Sequence, residues 1–224
     1  MFLSHPWGPS CPPYANGSRV IIEADKCMSA GSSCNSLTFS APNHIGTHFD
    51  FPLHFTGNGK SVEDYEANDF VFNRVACLWL TSLKAGALIT RDLVASQIEE
   101  LAPPPNLDML LIRTGSSIFR NEARYWAEGI GIGRGVADFL RDLFPDLRAV
   151  GIDTISISSL PHRYVGRDVH REFLCHESRP LLIIEDMQLE ALSRCKISQV
   201  IALPLRIEKG DGAPCTVIAA SEPA

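Results

Sequence analysis

The 224-residue chain has no C-x-x-C pair, although it carries seven cysteines: Cys11, Cys27, Cys34, Cys77, Cys175, Cys195 and Cys215. An odd, widely spaced set suits reduced thiols better than a disulfide framework. Cys77, in "VACLWL", reads as a small buried hydrophobe. Long apolar runs are missing too. "LLII" and "VIALPL" fall far short of the ~18–20 residues that cross a bilayer, so no membrane partner is expected. The opening "MFLSHPWGPSCPPY" has neither a basic region nor an apolar stretch of signal-peptide length, which makes the cytoplasm the expected location. The net charge is −6 and no Lys/Arg run is interleaved with aromatics, which argues against nucleic acid as partner. There is no G-x-S-x-G elbow and no Walker loop. "GIGIGRGV" (129–136) departs from G-x-G-x-x-G and reads as a turn before a helix, and "HESRP" has Pro180 where H-E-x-x-H needs its second histidine. Serine-hydrolase and P-loop chemistry therefore drop out.

What is present is ordinary globular composition, with 45% hydrophobic and 21% charged residues, which excludes a disordered chain. One domain over 1–224 is the expectation. The first half reads as strands: "SRVIIEA" (18–24), "NSLTFSA" (35–41) and the buried run "RVACLWL" (74–80). Later, helices and strands alternate. "TRDLVASQIEELAPPP" predicts a helix capped by Thr90 and stopped before Pro103. "RGVADFLRDLF" (134–144) sets Val136, Phe139, Leu140 and Leu143 on one helical face. "DMLLIRT", "RAVGIDT" and "LLIIED" read as strands, "DVHREFLCHE" as a helix, and "QVIALPLRI" and "CTVIAAS" as closing strands. The sum is an α/β fold with a mixed sheet.

"HIGTHFDFPLH", from His44 to His54, concentrates three of the seven histidines with an aspartate. His48, Asp50, Pro52 and His54 share one side of an extended segment. Fully extended, His44 to His54 would span roughly 33 Å, whereas metal ligands sit about 2 Å from a common ion. The segment must bend. Gly46 can supply an unusual backbone angle and Pro52 excludes a regular central strand, so the breaks fall where convergence needs them. Imidazole suits zinc, manganese or iron, and a carboxylate among histidines can bridge two divalent ions. A complete site needs distal ligands. His170, on the predicted helix, and Glu185, ending an apolar strand, stand out; His162 and His176 compete for the distal histidine.

The eleven-residue segment resembles the H-x-G-T-H-x-D-x-P-x-H signature of the cyclase family of metal-dependent hydrolases, which includes bacterial kynurenine formamidase, isatin hydrolase and trans-dienelactone hydrolase. The resemblance runs from "LSHP" (3–6) through "LLIRTGSS", "GIDTISIS", "HREFL" and "IIED" to "IALPLRI". It implies a swivelling β/β/α fold, a homo-oligomer (dimer or tetramer) and a centre of two divalent ions, zinc or manganese. His44, His48 and Asp50 resemble ligands of a first metal. Asp50 and Glu185 resemble bridging carboxylates, and His170 completes a second site. His54 is similar to the family's proton-shuttling histidine. Tyr14, in "CPPYANG", stands where formamidases carry a substrate-contacting tryptophan.

The implied chemistry is hydrolysis of a small-molecule substrate by metal-bound hydroxide, with His54 as general base and then acid. The expected substrate is a small aromatic amide or formamide such as N-formylkynurenine. A lactam or lactone of the isatin or dienelactone type is the alternative, and a metal-binding protein without catalysis is the third reading.

Overall fold

The computed structural model describes residues 1–192 and 197–221. A hairpin of β1 (Ile21–Lys26) and β2 (Ser36–Ser40) comes first and stands apart as its own two-stranded sheet. β3 (His48–Asp50), β4 (Val71–Phe72) and β5 (Val75–Trp79) follow, then β6 (Leu88–Ile89) and helix α1 (Arg91–Leu101). The Leu93 amide donates to the Thr90 hydroxyl at 3.3 Å, which confirms the expected cap. Ala102, in the left-handed region, ends α1 just before the prolines.

β7 (Met109–Arg113), the short α2 (Arg124–Ala127), β8 (Gly131–Ile132), α3 (Val136–Leu143) and β9 (Ala149–Ile152) come next. The glycine-rich lookalike at 129–136 is thus β8 and a turn, with Gly135 at φ 76° preceding α3. On α3 the expected face is only partly right. Leu143 is 43% exposed, while Arg141 is buried, its guanidinium donating to the carbonyls of Glu172 and Arg179. α4 (Arg163–Leu174) begins five residues before the predicted helix and ends three earlier, and β10 (Leu182–Glu185), β11 (Ile197–Pro204) and β12 (Gly212–Ser221) complete the chain.

Eight strands form one mixed sheet in the order β4-β11-β12-β3-β10-β9-β7-β5. β5, β7, β9 and β10 run parallel, as βαβ crossovers require, and β3 is antiparallel to both its neighbours. The sheet curls until β5 packs against β11 and is nearly closed. One core lies beneath α1, α3 and α4 and takes Leu110, Ile112, Val150 and Ile183. Phe49, Leu111, Ile184 and Val217 fill the other, inside the curl. The strands alternate between these two cores, as a sheet covered on both faces must. Cys77 is half-buried on β5, and its thiol is pushed up to about 12 by burial. All six described cysteines are free, and Cys195 lies outside the described residues. Among the described residues no helix is long and apolar enough to cross a membrane.

Candidate metal centre

The bends expected in "HIGTHFDFPLH" are both present. Gly46 has φ 72°, and a Cβ there would lie 2.9 Å from the Cys11 sulfur and 3.0 Å from the Trp7 ring. Glycine is required on both counts. Thr47 then anchors the turn. Its hydroxyl donates to the Asp186 carbonyl at 2.6 Å and accepts from the His5 amide at 3.0 Å. Only His48–Asp50 is extended, which puts Phe49 into the inner core and His48 and Asp50 together on the opposite face. Pro52 opens a single 3-10 turn that brings His54 back beside His44, with ring centroids 4.0 Å apart.

β10 supplies the next ligand by register. Glu185 pairs directly with His48 across the β3–β10 ladder. Its Oε1 accepts from the Ile157 amide at 2.7 Å and the Ser156 hydroxyl at 2.9 Å, which fixes the carboxylate. α4 supplies His170 from the face it packs toward β10. Asp50 and Glu185 then each lie between imidazoles. His48 Nε2 is 3.4 Å from Asp50 Oδ1 and 3.5 Å from Glu185 Oε2; His170 Nε2 is 3.5 Å from Asp50 Oδ2 and 3.4 Å from Glu185 Oε1. His44 Nδ1 is 2.8 Å from Asp50 Oδ1. His48 Nδ1 donates to the Gly46 carbonyl and His170 Nδ1 to the Gly166 carbonyl, both at 2.8 Å. Carbonyls can only accept, so both Nε2 atoms are left to face the carboxylates.

Buried charges need partners, and the opposite charges facing His48 and His170 are those of Asp50 and Glu185. Burial opposes protonation of His48, but its hydrogen bond to Asp50 and the Asp50 and Glu185 charges lift it to about 9. His170 is lifted to about 10 against the same burial penalty by hydrogen bonds to Asp50 and Glu185. Burial would raise Asp50, yet hydrogen bonds from His170, His44 and His48 hold it well below the usual carboxylate range. The cluster thus favours positive charge among its carboxylates, and a divalent cation meets the same demand. The ligand atoms of His44, His48 and Asp50 lie within 4.8 Å of one another, as do those of Asp50, His170 and Glu185, so the two groups share Asp50.

All seven residues singled out in the sequence (Tyr14, His44, His48, Asp50, His54, His170 and Glu185) line one cavity of about 280 Å³. The competing histidines stay outside: His162 is exposed before α4, and His176 is exposed and accepts from the Arg179 amide at 3.1 Å. The sequence reading missed Asp211. It lies in the turn before β12, and its Oδ2 is 2.8 Å from His54 Nδ1 and 3.0 Å from His44 Nε2. Burial works against its ionisation, but hydrogen bonds from His54 and His44 draw its carboxyl down to about 2. The glycine after it is fixed by packing, because a Cβ on Gly212 would stand 2.2 Å from the His44 ring.

A nearly closed mixed sheet carrying a buried His/Asp/Glu centre at one end of its helix-covered face defines a class of α/β protein with a single composite site. Residues 1–159 match the family model described as "Putative cyclase", and the chain belongs to this cyclase family. It is 25% identical over 194 residues to kynurenine formamidase from Delftia acidovorans, covering 86% of this chain and 84% of that protein. Two solved structures share the fold. Isatin hydrolase A from Labrenzia aggregata, bound to benzyl benzoate, matches with a TM-score of 0.80 at 22% identity, over 99% of this chain and 93% of the other. Isatin hydrolase A from Ralstonia solanacearum matches with a TM-score of 0.77 at 20% identity, over 98% and 90%.

Proposed function

We propose that this chain is a metal-dependent hydrolase that cleaves the C–N bond of a small aromatic amide or formamide. The observation that carries the reading is the disposition of Asp50 and Glu185. Each lies between His48 Nε2 and His170 Nε2, whose rings are locked by backbone carbonyls on their other nitrogens. Metal-ligating histidines are oriented in this way. His44, His48 and Asp50 would hold one ion and Asp50, His170 and Glu185 a second. The all-N/O donor set suits zinc or manganese. When bound, such an ion supplies a Lewis acid and makes a water it binds acidic near neutral pH.

The other steps belong to the chain's own side chains. His54 directs Nδ1 at Asp211, which leaves Nε2 as the nitrogen that takes a proton from water and returns it to the leaving nitrogen. Asp211 holds His54 and His44 through one oxygen, so it fixes the proton carrier relative to a ligand. Phe55, stacked on His170 with centroids 4.9 Å apart, and Ile155 give the cavity an apolar wall suited to an aromatic ring. Tyr14 faces the same cavity.

The test is hydrolysis of N-formylkynurenine and of isatin by protein loaded separately with zinc and with manganese, beside a chelated control. Metal-dependent turnover of the formamide is expected. Turnover of isatin alone would move the reading to lactam opening, which the same groups can perform and which a cavity as small as about 280 Å³ suits. Turnover of neither, with metal bound, would move the reading to a lactone of the dienelactone type, and loss of all hydrolase activity in metal-replete protein would favour a non-catalytic metal protein. Asp211→Asn is expected to lower kcat by about 10–100-fold while the bound metal stays above half of wild type. Elemental analysis beside steady-state kinetics checks this, and an unchanged kcat would remove Asp211 from the proton path.

A homo-oligomer is proposed from the β1–β2 hairpin. Its register places Leu37 and Phe39 on one face, and they are 67% and 62% exposed. Phe39 meets Trp7 edge-on at 5.2 Å, yet the face stays largely open, and a second copy of the chain would cover it. Light scattering is expected to give at least twice the chain mass, with Leu37→Ser/Phe39→Ser shifting it toward one. A wild-type monomer at micromolar concentration would rule the interface out.

A further inference from the structure

We infer that Arg163 and Arg167 form an anion subsite at the mouth of the cavity, so that the preferred substrate carries a carboxylate in addition to the bond that is cleaved. The inference rests on the proposed hydrolase reading and names its substrate class. Both arginines line the cavity that holds His44, Asp50 and His170. They lie on the α4 face that carries His170, three and seven residues before it, at helical spacing. At about 1.5 Å rise per residue, their backbones stand roughly 4.5 and 10 Å along the helix from that histidine. A ligand reaching from the metal cluster to the cavity mouth passes both.

Neither guanidinium has an ion pair or hydrogen bond among the described residues, and both residues are exposed. Their neighbours on the same side of the molecule are engaged. Arg171 reaches Asp168 at 3.8 Å and lies over the Phe55 ring, and Arg134 pairs with Asp168. Arg163 is also the first residue of α4, and that first turn contains no acid. A cation at the positive end of a helix is unfavourable, so this placement has no stabilising role within the chain. It does have one for an incoming anion, which meets two guanidiniums and the helix end together. The Arg163 charge also reaches the site. Burial and the Glu185 charge push the Tyr14 phenol up, and Arg163 opposes them.

The chemistry fits the floor of the same cavity. The scissile bond must lie against the His/Asp/Glu cluster, which leaves the rim, where Arg163 and Arg167 stand, as the place for a second, anionic substituent. A guanidinium grips a carboxylate with two parallel N–H donors, whereas an uncharged amide or ester offers it only a neutral acceptor.

The test compares binding and turnover of matched pairs by metal-loaded protein. For binding, the pair is 4-phenylbutanoate and 4-phenylbutanamide by calorimetry. For turnover, it is 4-(2-formamidophenyl)-4-oxobutanoate and its primary amide, which differ only in the carboxylate. Wild type is expected to favour the anionic member by about tenfold or more in both measurements. In Arg163→Met/Arg167→Met that ratio should fall to within about twofold, and in Arg163→Lys/Arg167→Lys, which keeps the charge, most of it should return. Melting curves and metal content of each variant confirm that it is folded and loaded. A ratio unchanged by the Met pair would assign the anion to the metal and overturn the subsite; no preference in wild type would overturn it as well. If neither formamide is hydrolysed, the formamide reading fails, while the calorimetric ratio still decides the subsite.

Discussion

Asp50→Ala is expected to yield a folded chain that retains less than a tenth of the wild-type metal and loses at least about 10³-fold in turnover, the rate equivalent of several kcal/mol. Asp50 is the residue on which the whole centre converges. It sits at the end of a three-residue strand, buried on both sides by β10 and β12, and its two oxygens face His44, His48 and His170. Removing it takes a ligand from both proposed ion sites at once. It also takes one of the two buried carboxylates from the imidazoles, so that His48 and His170 are left to share Glu185 and His44 keeps Asp211, which destabilises the ion-free protein. Asp50→Asn separates the two effects. The carboxamide keeps the shape but cannot bridge two cations, so fold should be retained and metal lost. Metal content by elemental analysis, read beside the thermal midpoint, checks both. Full loading of either variant would contradict the assignment.

The second large effect belongs to His54. His54→Ala should lower kcat by about 10²–10⁴-fold, the range of general acid–base catalysis, while metal content stays near wild type. The separation rests on geometry: His54 engages Asp211 rather than Asp50 or Glu185. Because Asp211 acts through His54, the double variant His54→Ala/Asp211→Asn should lose little more than His54→Ala alone. Additive losses would mean that Asp211 works through its other partner, His44. A variant at residue 54 with near-normal kcat would end its role as proton carrier.

Much of the centre was legible because it is local. His44, His48, Asp50 and His54 sit in one segment whose glycine and proline state where the chain must turn, and the turns fall there. The distal residues needed the topology. Spacing did not separate His170 from His162 and His176. The helix does, since α4 starts at Arg163 and puts residues 163, 167 and 170 on one face, with His162 before its first turn and His176 after its last. The two early strands were legible as strands, displaced by one to three residues, but nothing in "SRVIIEA" or "NSLTFSA" says that they leave the main sheet. Asp211 was out of reach. It sits in a plain "KGDGA" turn, 157 residues from the histidine it holds, and only the pairing of β12 with β3 brings it there.

That pairing also sets a timetable. β3 is flanked by β10 and β12, which begin at Leu182 and Gly212. A ribosome adding about 5–20 residues per second needs roughly 8–30 s between His54 and Gly212. Through that interval the nascent chain displays its histidines as a flexible peptide, open to whichever imidazole-binding cation is at hand. Discrimination among ions belongs to the folded centre, whose proposed ligands are complete once β10 supplies Glu185 and which β12 then flanks by pairing with β3.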